Sequence, residues 1–373
     1  MDLLKVRNVI DEIDDQLHSL IIKRMKLSTE VAKCKLEENL PVFHPKREQE
    51  IIKRLKELSP KPYQDSVYNI YCQILSESKA LQSQLISQWS DSNKKELSEE
   101  GTDVTIACQG VVGSYSSIAA KRLFQNAELT FCEDFNNVFE KVLSGECSFG
   151  IVPIENTCAG SVTDNYDLLL KYDVSIVRTL ALQVNHCLLA KKGTDITKLT
   201  KVYSHPQALS QCSEFFTRHE EIEKVPFSNT ASAAKFVAQS DENIGAIASE
   251  LAKEQYGLEI LDEKIQNQTN NLTRFALISK KSIESDKNSV VSIALRLNHV
   301  PSALYEALGA ISKRGINMLR LQSRPIPNCP FEFMFYIDFS GNIGDNDVKD
   351  VLKEIEEQAV FLKILGNYEE ISE

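Results

Sequence analysis

Residues 3 to 34 carry apolar side chains in steps of three and four, and this spacing constrains how the N-terminal part of the chain can fold. Such a pattern is typical of one long helix packed against other helices. One member of the pattern, Arg24, is charged. Because a buried charge needs a partner, Arg24 either holds an anion inside a helical bundle or extends to water from the edge of the packed face. The pattern consists of Leu3, Val6, Ile10, Ile13, Leu17, Leu20, Arg24, Leu27, Val31 and Cys34.

Two further cations on this predicted helix bear on the choice. Lys35 follows Arg24 by eleven residues, which places it within about 20° of the same face and about 16 Å further along the helix. Two long side chains at that separation can share one small anionic ligand. Arg7 lies about 42 Å from Lys35 along a straight helix. An anion bound by Arg7 would therefore belong to the site of a second chain.

Two more helices are predicted after the first. Pro41 is expected to end the first helix, Pro45 to begin the second, and a third is predicted from about Tyr63. On the third helix two polar residues lie four positions apart, which places them on one face. The polar residues noted on the second and third helices are Arg47, Glu48, Ser78 and Gln82.

This arrangement resembles the all-helical chorismate mutase domain. The resemblance implies that residues 1–88 rearrange chorismate to prephenate, a reaction that needs cations to fix a compact conformer and donors on the breaking ether oxygen. Lys35 and Gln82 are implied to be the catalytic donors. The family often has an acidic residue where this chain has His44. The residues implied to line the chorismate pocket are Arg7, Arg24, Lys35, Arg47, Glu48, Ser78 and Gln82.

The 373 residues allow two or three domains, and the net charge of −11 argues against a nucleic-acid or anionic-membrane partner. The nine cysteines lack paired metal spacing, which favours free thiols in a reducing cytoplasm. No run approaches the roughly 20 apolar residues of a membrane span. Residues 89–103 are polar and charged and are interpreted as a linker.

In the middle of the chain, the stretch Asn267–Phe275 (NQTNNLTRF) places a threonine and an arginine beside amides. A strand is predicted immediately afterwards, in the apolar run Phe275–Ile278. Thr273 can donate or accept a hydrogen bond and Arg274 offers a planar fork for a carboxylate, so one interpretation is a ligand site. The other is a turn whose side chains bond their own backbone, and these residues alone favour the turn.

A second stretch, GIVPIENTCAGSVTDNYDLLL, favours the ligand site. A buried strand is predicted over Phe149–Val152 and is expected to break at Pro153. Glu155 and Asn156 then lie at its carboxyl end, where open α/β sheets bind ligands. Ser161 precedes an amphipathic helix, whose unpaired first amides suit an anion.

Together the two stretches resemble the prephenate dehydratase family, whose members carry PIEN, GSV and TRF segments in this order. The resemblance implies that residues 104–281 form a two-lobed α/β domain of the periplasmic-binding-protein type. Prephenate loses hydroxide and carbon dioxide in this reaction, and Thr273 is the implied catalytic donor to the leaving oxygen. The residues implied to bind prephenate are Glu155, Asn156, Ser161, Ser204, Gln211, Thr273 and Arg274.

Neither reaction requires a metal or an organic cofactor. His186 and His205 are interpreted as structural. Two alternatives stay open: the two-lobed domain could be a ligand-binding sensor without catalysis, and the helical domain could serve only for dimerisation. Thr273 with Arg274 favours an enzyme over a sensor, and Arg24 in the packed face favours a binding site over a scaffold.

Residues 290–373 are predicted to form strand, helix, strand, strand, helix and strand, which resembles an ACT regulatory domain of ferredoxin-like topology. The resemblance implies feedback by phenylalanine, bound between paired domains of a homodimer or homotetramer. Dehydratases usually have glycine where this chain has Ser302 and glutamate where it has Gln322. The predicted elements are Val290–Leu297, Ala303–Arg314, Met318–Ser323, Phe331–Phe339, Asn346–Gln358 and Phe361–Tyr368. The implied phenylalanine-binding residues are Ser302, Ala303, Leu304, Gln322, Ser323, Arg324 and Pro325.

Overall fold

The computed structural model describes residues 2–37, 45–90, 104–326, 329 and 331–372. Pro41, His44 and the predicted linker beyond residue 90 lie outside the described residues, as does the side chain of Glu48. The chain divides into two compact units, Met1–Lys94 and Lys95–Glu373.

The first unit contains the three predicted helices. Helix α1 spans Leu3–Glu37, α2 spans Pro45–Leu58 and α3 spans Gln64–Ser90. A single 3-10 turn, Lys61–Tyr63, precedes α3. Pro45 occupies the first position of α2, where a missing backbone N–H is tolerated because no helical partner exists for it. Helix α3 packs against both α1 and α2.

Within one chain, most of the apolar pattern on α1 is uncovered. Leu20 is 62% exposed and Leu27 is 60% exposed. An apolar surface of this extent is typical of an interaction site. The face predicted to be packed is thus packed only in part by α3. Its exposed members are Leu3, Ile10, Ile13, Leu17, Leu20, Leu27, Val31 and Cys34.

The first lobe of the second unit is a sheet with helices on its faces. Its strands follow the order β5-β11-β3-β1-β2, and β4 forms a hairpin with β3. Strand β1 is parallel to β2 and β3, whereas β11 is antiparallel to β3 and β5. The elements are β1 (Thr105–Gln109), α4 (Tyr115–Leu123), β2 (Glu128–Cys132), α5 (Phe135–Ser144), β3 (Phe149–Asn156), β4 (Gly160–Ser161), α6 (Thr163–Lys171), β5 (Ser175–Gln183) and β11 (Leu272–Ser279).

The second lobe is inserted between β5 and β11. Its separate sheet has the order β10-β6-β9-β7-β8. A one-turn 3-10 helix, Ile196–Lys198, precedes β7. The elements are β6 (Cys187–Ala190), β7 (Lys201–Ser204), α7 (Pro206–Gln211), α8 (Ser213–Arg218), β8 (Glu223–Pro226), α9 (Thr230–Gln239), β9 (Ile244–Ala248), α10 (Glu250–Tyr256) and β10 (Glu259–Asp262).

Two strand limits differ from the prediction, and both differences place candidate residues inside the sheet. Strand β3 does not break at Pro153 but continues to Asn156, and β11 begins at Leu272. The register between the two strands shifts beside Pro153. Such an irregularity lets a strand accommodate a residue that has no backbone N–H. Thr273 and Arg274 are therefore strand residues and not loop residues.

The C-terminal part contains the six predicted elements in the predicted order. Their antiparallel sheet has the order β13-β14-β12-β15, which is the ferredoxin-like arrangement. Both helices pack on one face of it around a shared apolar core. The elements are β12 (Val290–Leu297), α11 (Ala303–Ser312), β13 (Met318–Pro325), β14 (Phe333–Ser340), α12 (Asn346–Gln358) and β15 (Ala359–Ser372).

The last strand joins the two sheets and is longer than predicted. The sequence predicts an end at Tyr368, but β15 continues to Ser372 and pairs in parallel with β5. The two backbones approach closely at Gly366, where a Cβ would overlap the carbonyl oxygen of Ile176. The first lobe and the C-terminal domain consequently share one ten-stranded sheet.

Candidate active sites

In the helical unit, Arg24 and Lys35 of α1 both contact α3. The Arg24 guanidinium donates to the carbonyl oxygen of Ile74 over 3.4 Å and to the hydroxyl of Ser78. Lys35 Nζ donates to Gln82 Oε1 over 3.0 Å. Ser78 and Gln82 are buried. Two cations and two buried polar side chains thus lie along one helix interface.

The other residues implied for the chorismate pocket lie elsewhere or are not described. Arg7 is exposed and lies on α1 about 42 Å from Lys35. Arg47 is exposed and forms an ion pair with Glu50 at 3.4 Å. The side chain of Glu48 is outside the described residues. The residues that one chain brings together are Arg24, Lys35, Ser78 and Gln82.

In the first lobe, Thr273 on β11 lies directly opposite Asn156 on β3. Asn156 Nδ2 donates to Thr273 Oγ1 over 2.9 Å and to Asn271 Oδ1 over 2.7 Å. Asn156 Oδ1 accepts from the backbone N–H groups of Cys158 and Ala159, over 3.0 and 2.8 Å. Nδ2 also donates, over a longer 3.3 Å, to the carbonyl oxygen of Leu272. These bonds fix the orientation of the Asn156 amide, because its oxygen only accepts and its nitrogen only donates.

The hydrogen bonds continue from Asn271 into the second lobe. Because Asn271 Oδ1 accepts from Asn156, its Nδ2 is the donor to Gln211 Oε1, 3.1 Å away. His186 Nε2 lies 3.0 Å from the same oxygen, so this ring nitrogen carries the proton. Burial lowers the pKa of His186, and its bond to Gln211 raises it by less. The imidazole is therefore neutral at neutral pH and serves as a donor.

Thr273 stands at the end of this polarised chain. Its side chain is buried, and the residue is only 8% exposed. The hydroxyl oxygen accepts from Asn156, which leaves the hydroxyl proton to be donated to another group. The arrangement can therefore present a hydrogen-bond donor in a site that largely excludes water.

A cavity of about 180 Å³ adjoins the same hydrogen bonds. Its amides can donate and accept, which suits a ligand with both carboxylates and a hydroxyl group. The predicted prephenate-binding residues include only one member of this lining, Gln211. Three others, Asn267, Gln268 and Asn271, belong to the stretch Asn267–Phe275 for which the sequence suggested a ligand site, whereas nothing in the sequence singled out Cys158 or Ser210. The cavity is lined by Cys158, Ser210, Gln211, Gln266, Asn267, Gln268 and Asn271.

Glu155, Arg274 and Ser161 are brought together on the other face of the same strands. Glu155 lies opposite both Arg274 and Ser161 in the strand register. Since side chains alternate between faces along a strand, these residues point away from Asn156 and Thr273. Arg274 is paired with Glu155 at 3.2 Å and with Glu370 of β15 at 2.8 Å. Its guanidinium thus already contacts two carboxylates.

Hydrogen bonds to backbone groups occupy Ser204, His205 and the loop that contains Gly113, which precedes α4. Ser204 is fully buried and its hydroxyl donates to the carbonyl oxygen of Ile247 over 2.7 Å. His205 caps the start of α7, and burial lowers its pKa. The carbonyl oxygen of Gly113 accepts from Ser249 of the second lobe over 2.9 Å. These groups join the lobes or hold their elements, and none of them lines the cavity.

The residues implied for phenylalanine binding lie in two segments of the C-terminal domain. Ser302 precedes α11 with a φ of 69°, a conformation that glycine adopts more readily. Ala303 and Leu304 form the first turn of that helix. Gln322 and Arg324 are on one face of β13, which is turned towards the first lobe, while Ser323 and Pro325 belong to the same strand.

In the described part of the chain, no group of three or more His, Cys, Asp or Glu side chains is arranged to hold a metal ion. Among the helices that the structure describes, none has the length and apolar character needed to cross a membrane.

Two family models match the chain in consecutive segments. The model for chorismate mutase type II matches residues 6–83, and the model for prephenate dehydratase matches residues 106–283. The bifunctional chorismate mutase/prephenate dehydratase of Escherichia coli K12 is 34% identical over 375 residues, which cover 98% of this chain and 96% of that protein.

Two solved structures are similar to about seven tenths of the chain. GqqA, described as a novel type of quorum quenching acylase, is 29% identical with a TM-score of 0.66, covering 72% of this chain and 98% of that one. The prephenate dehydratase of Arthrobacter aurescens, solved in complex with L-Phe, is 28% identical with a TM-score of 0.65, covering 71% of this chain and 90% of that one.

Proposed function

The chain belongs to the family of bifunctional chorismate mutase/prephenate dehydratases, enzymes of phenylalanine biosynthesis, and we propose which of its residues perform the two reactions. The helical unit rearranges chorismate to prephenate at the interface of α1 and α3. The α/β unit converts prephenate to phenylpyruvate beside Thr273. The observation that carries the proposal is the bond from Asn156 to Thr273, because it orients a buried hydroxyl as a donor.

The mutase step needs no nucleophile. Chorismate is a dianion whose rearrangement is pericyclic, so cations that fix a compact conformer and donors on the ether oxygen supply the catalysis. Arg24 holds a carboxylate. Lys35 and Gln82 donate to the ether oxygen. Gln82 Oε1 accepts from Lys35, which orients the Gln82 amide so that its nitrogen is the donor to the substrate. Ser78 keeps the Arg24 guanidinium in place.

We also assign a second copy of the chain to the uncovered face of α1. The apolar residues there are exposed within one chain, and their spacing is that of a helix packed along another helix. Arg7 is too far from Lys35 to reach the same substrate, so it completes the site of the partner copy. Arg47 and Glu48 of α2 belong to the pocket of their own chain. The assembly is a homodimer, or a homotetramer built from two such dimers.

The dehydratase step expels hydroxide and carbon dioxide together. The leaving oxygen must be hydrogen-bonded or protonated as it departs, and aromatisation of the ring drives the reaction. Thr273 donates that hydrogen bond. A threonine hydroxyl is a poor acid, so its effect depends on fixed position and on exclusion of water. Asn271 and Gln211 line the adjoining cavity and bind the polar groups of prephenate.

The C-terminal domain is assigned as an ACT domain that binds phenylalanine. Support comes from its βαββαβ order and from the relative of Arthrobacter aurescens, which binds L-Phe. The binding groups are the backbone amides at the start of α11, which suit a carboxylate, and the residues that end β13. Phenylalanine bound there inhibits the dehydratase as end-product feedback. The proposed residues are Ser302, Ala303, Leu304, Gln322, Ser323, Arg324 and Pro325.

The test gives purified protein chorismate and follows prephenate and phenylpyruvate over time, with and without phenylalanine. Thr273→Ala should lower phenylpyruvate formation about a hundredfold or more and let prephenate accumulate, because it removes one donor to a developing charge. Thr269→Ala, an exposed threonine of the same segment, is the matched control. If T273A formed phenylpyruvate at the wild-type rate, the assignment of Thr273 would be wrong.

A further inference from the structure

Strands β3 and β11 have two differently occupied faces. One face carries Asn156 and Thr273, and the other carries Glu155 and Arg274. Arg274 pairs with Glu370 of the C-terminal domain. The same strand pair therefore connects the proposed dehydratase site to a separate domain, although none of the residues described for that domain lines the cavity.

Arg320 of β13 is the centre of the second face. Its Nη2 donates to the hydroxyl of Ser161 over 2.5 Å and to Gln322 Oε1 over 2.7 Å. The guanidinium lies over the ring of Tyr166, 4.6 Å from the ring centre, and its Nε is 3.9 Å from Glu155 Oε1. The sequence predictions did not include Arg320 among the site residues.

The Arg320 side chain is only 9% exposed, so its charge is largely removed from water. The nearest acid within its own domain is Asp338, also buried, with Oδ2 3.9 Å from Arg320 Nη1. Neither of these two atoms has a hydrogen-bond partner in the structure. A buried guanidinium is costly unless hydrogen bonds compensate for the lost water, so it stays where those bonds can form. The bonds from Nη2 to Ser161 and Gln322 consequently fix its position.

Ser161 belongs to the hairpin that also contains Asn156. The turn between β3 and β4 is held at one end by Asn156 Oδ1, which accepts from Cys158 and Ala159. At its other end Ser161 accepts from Arg320. Movement of this hairpin would move the Asn156 amide away from Thr273, since both hydrogen-bonding ends of the amide are used.

We propose that Arg320 is a positioning residue for the dehydratase reaction: from the C-terminal domain, it holds Ser161 and Glu155 so that Asn156 stays aligned with Thr273. The proposal deepens the dehydratase assignment and rests on it. It predicts that the dehydratase site is complete only when the C-terminal domain is docked. Arg320 Nη2 donates both to Gln322, one of the residues assigned to phenylalanine binding, and to Ser161 in the hairpin of β3 and β4. This nitrogen therefore connects the proposed phenylalanine site to the hairpin that contains Asn156.

The experiment measures both activities of the full chain after Arg320→Met. Misalignment of a hydrogen-bond donor lowers the rate of the chemical step, so kcat for prephenate should fall about tenfold to a hundredfold while KM changes less. The mutase rate of the same molecules is an internal control and should stay within about twofold of wild type. Arg320→Lys keeps the charge and should recover part of the lost kcat.

The matched control is Arg314→Met. Arg314 is an arginine of the same domain that pairs with Glu354 at 2.7 Å and donates to the carbonyl oxygen of Ala310, so the partners described for it belong to its own domain. An unchanged kcat in R320M, or an equal loss in R314M, would overturn the proposal. If R320M does not fold, Arg320→Gln replaces it: a selective loss of dehydratase kcat supports the proposal and an undiminished kcat overturns it.

The outcome is separable from that of the proposed function. If T273A retains full dehydratase activity, the catalytic assignment fails whatever Arg320 does. If T273A is inactive but R320M has wild-type kcat, the assignment of Thr273 stands and only the role of Arg320 is rejected.

Discussion

Asn156 Nδ2 donates to Thr273 Oγ1 over 2.9 Å, and the direction of this bond decides what the threonine can do. Two backbone N–H groups, of Cys158 and Ala159, already occupy Asn156 Oδ1, so the amide cannot be flipped without losing both bonds. Thr273 must therefore accept from Asn156, and its proton is left for the substrate.

Asn156→Asp tests this direction with a nearly isosteric change. One carboxylate oxygen still accepts from the turn, but the other cannot donate to Thr273 or Asn271. The Thr273 proton is then attracted to the carboxylate, and dehydratase kcat should fall about a hundredfold. Steady-state assays with prephenate measure the effect. Asn137→Asp, the same chemical change on α5, should have no such effect, and equal loss in both variants would contradict the assigned geometry.

The residue types of the dehydratase site could be predicted from sequence, but the distribution of those residues over two faces could not. Thr273 and Asn156 belong to recognisable segments, and the structure pairs them. Sequence placed the end of β3 at Pro153 and left Thr273 and Arg274 in a loop. The alternation of side chains along a strand could therefore not be applied to Glu155 and Arg274.

The residues that link the first lobe to the C-terminal domain could not be predicted from the sequence for a different reason. Arg320 lies in a half-exposed edge strand, and its partner Ser161 is 159 positions earlier in the chain, so no local pattern connects them. Glu370 lies beyond the predicted end of the last strand, in the segment that pairs with β5. Which residues pair between two strands distant in the sequence depends on how the strands pack. The apolar pattern of one strand alone does not give that pairing. By contrast, β12 and α12 have the predicted limits, because β12 is a short apolar run bounded by polar residues and α12 has a regular apolar period.

Arg24→Met tests the mutase pocket. The substitution removes the charge but keeps most of the side chain's length, so α1 should still pack against α3. Mutase kcat should fall about a hundredfold or more, because a cation that stabilises the dianionic transition state is lost. The measurement is prephenate formation from chorismate, with dehydratase activity on added prephenate as the internal reference. Lys23→Met, at an exposed position next to Arg24, should be close to wild type; a similar loss in K23M would indicate a general effect on the helix.

Leu20→Glu tests the second copy on α1. A charge in the centre of the apolar face should prevent the two helices from packing, because an unpaired charge is costly to bury. Light scattering should show a smaller assembly, and mutase activity should be lost while dehydratase activity on added prephenate is retained. Ser19→Glu adds the same charge one position away, outside the apolar pattern, and should leave the assembly intact. An unchanged assembly with full mutase activity in L20E would rule out α1 as the interface.

Lys363 is expected to make a pH-dependent contribution to the free energy of unfolding. It contacts the C-terminal end of α6, the end far from Ser161. Its Nζ donates to the carbonyl oxygens of Leu169 and Tyr172, over 2.8 and 2.7 Å, at the C-terminal end of that helix. Burial lowers the pKa of Lys363 to about 8 from 10.5, against a smaller opposite effect of Asp173. Between these two pH values the unfolded chain holds a proton that the folded chain has released. The contribution of Lys363 to the free energy of unfolding therefore rises with pH across this window.

The expected rise is on the order of 3 kcal/mol between about pH 8 and pH 10.5. It is measured as the difference in the free energy of unfolding between wild type and Lys363→Met at each pH, which removes the titration of other groups. Lys349→Met is the control, because Lys349 is an exposed lysine of the same domain that also donates to a backbone carbonyl, that of Gly344. The K349M difference, measured over the same pH range, shows what the loss of an exposed lysine bonded to a carbonyl does to stability. A flat difference for K363M would mean that Lys363 is not buried in a charge-excluding environment, and that the C-terminal domain does not close over the end of α6.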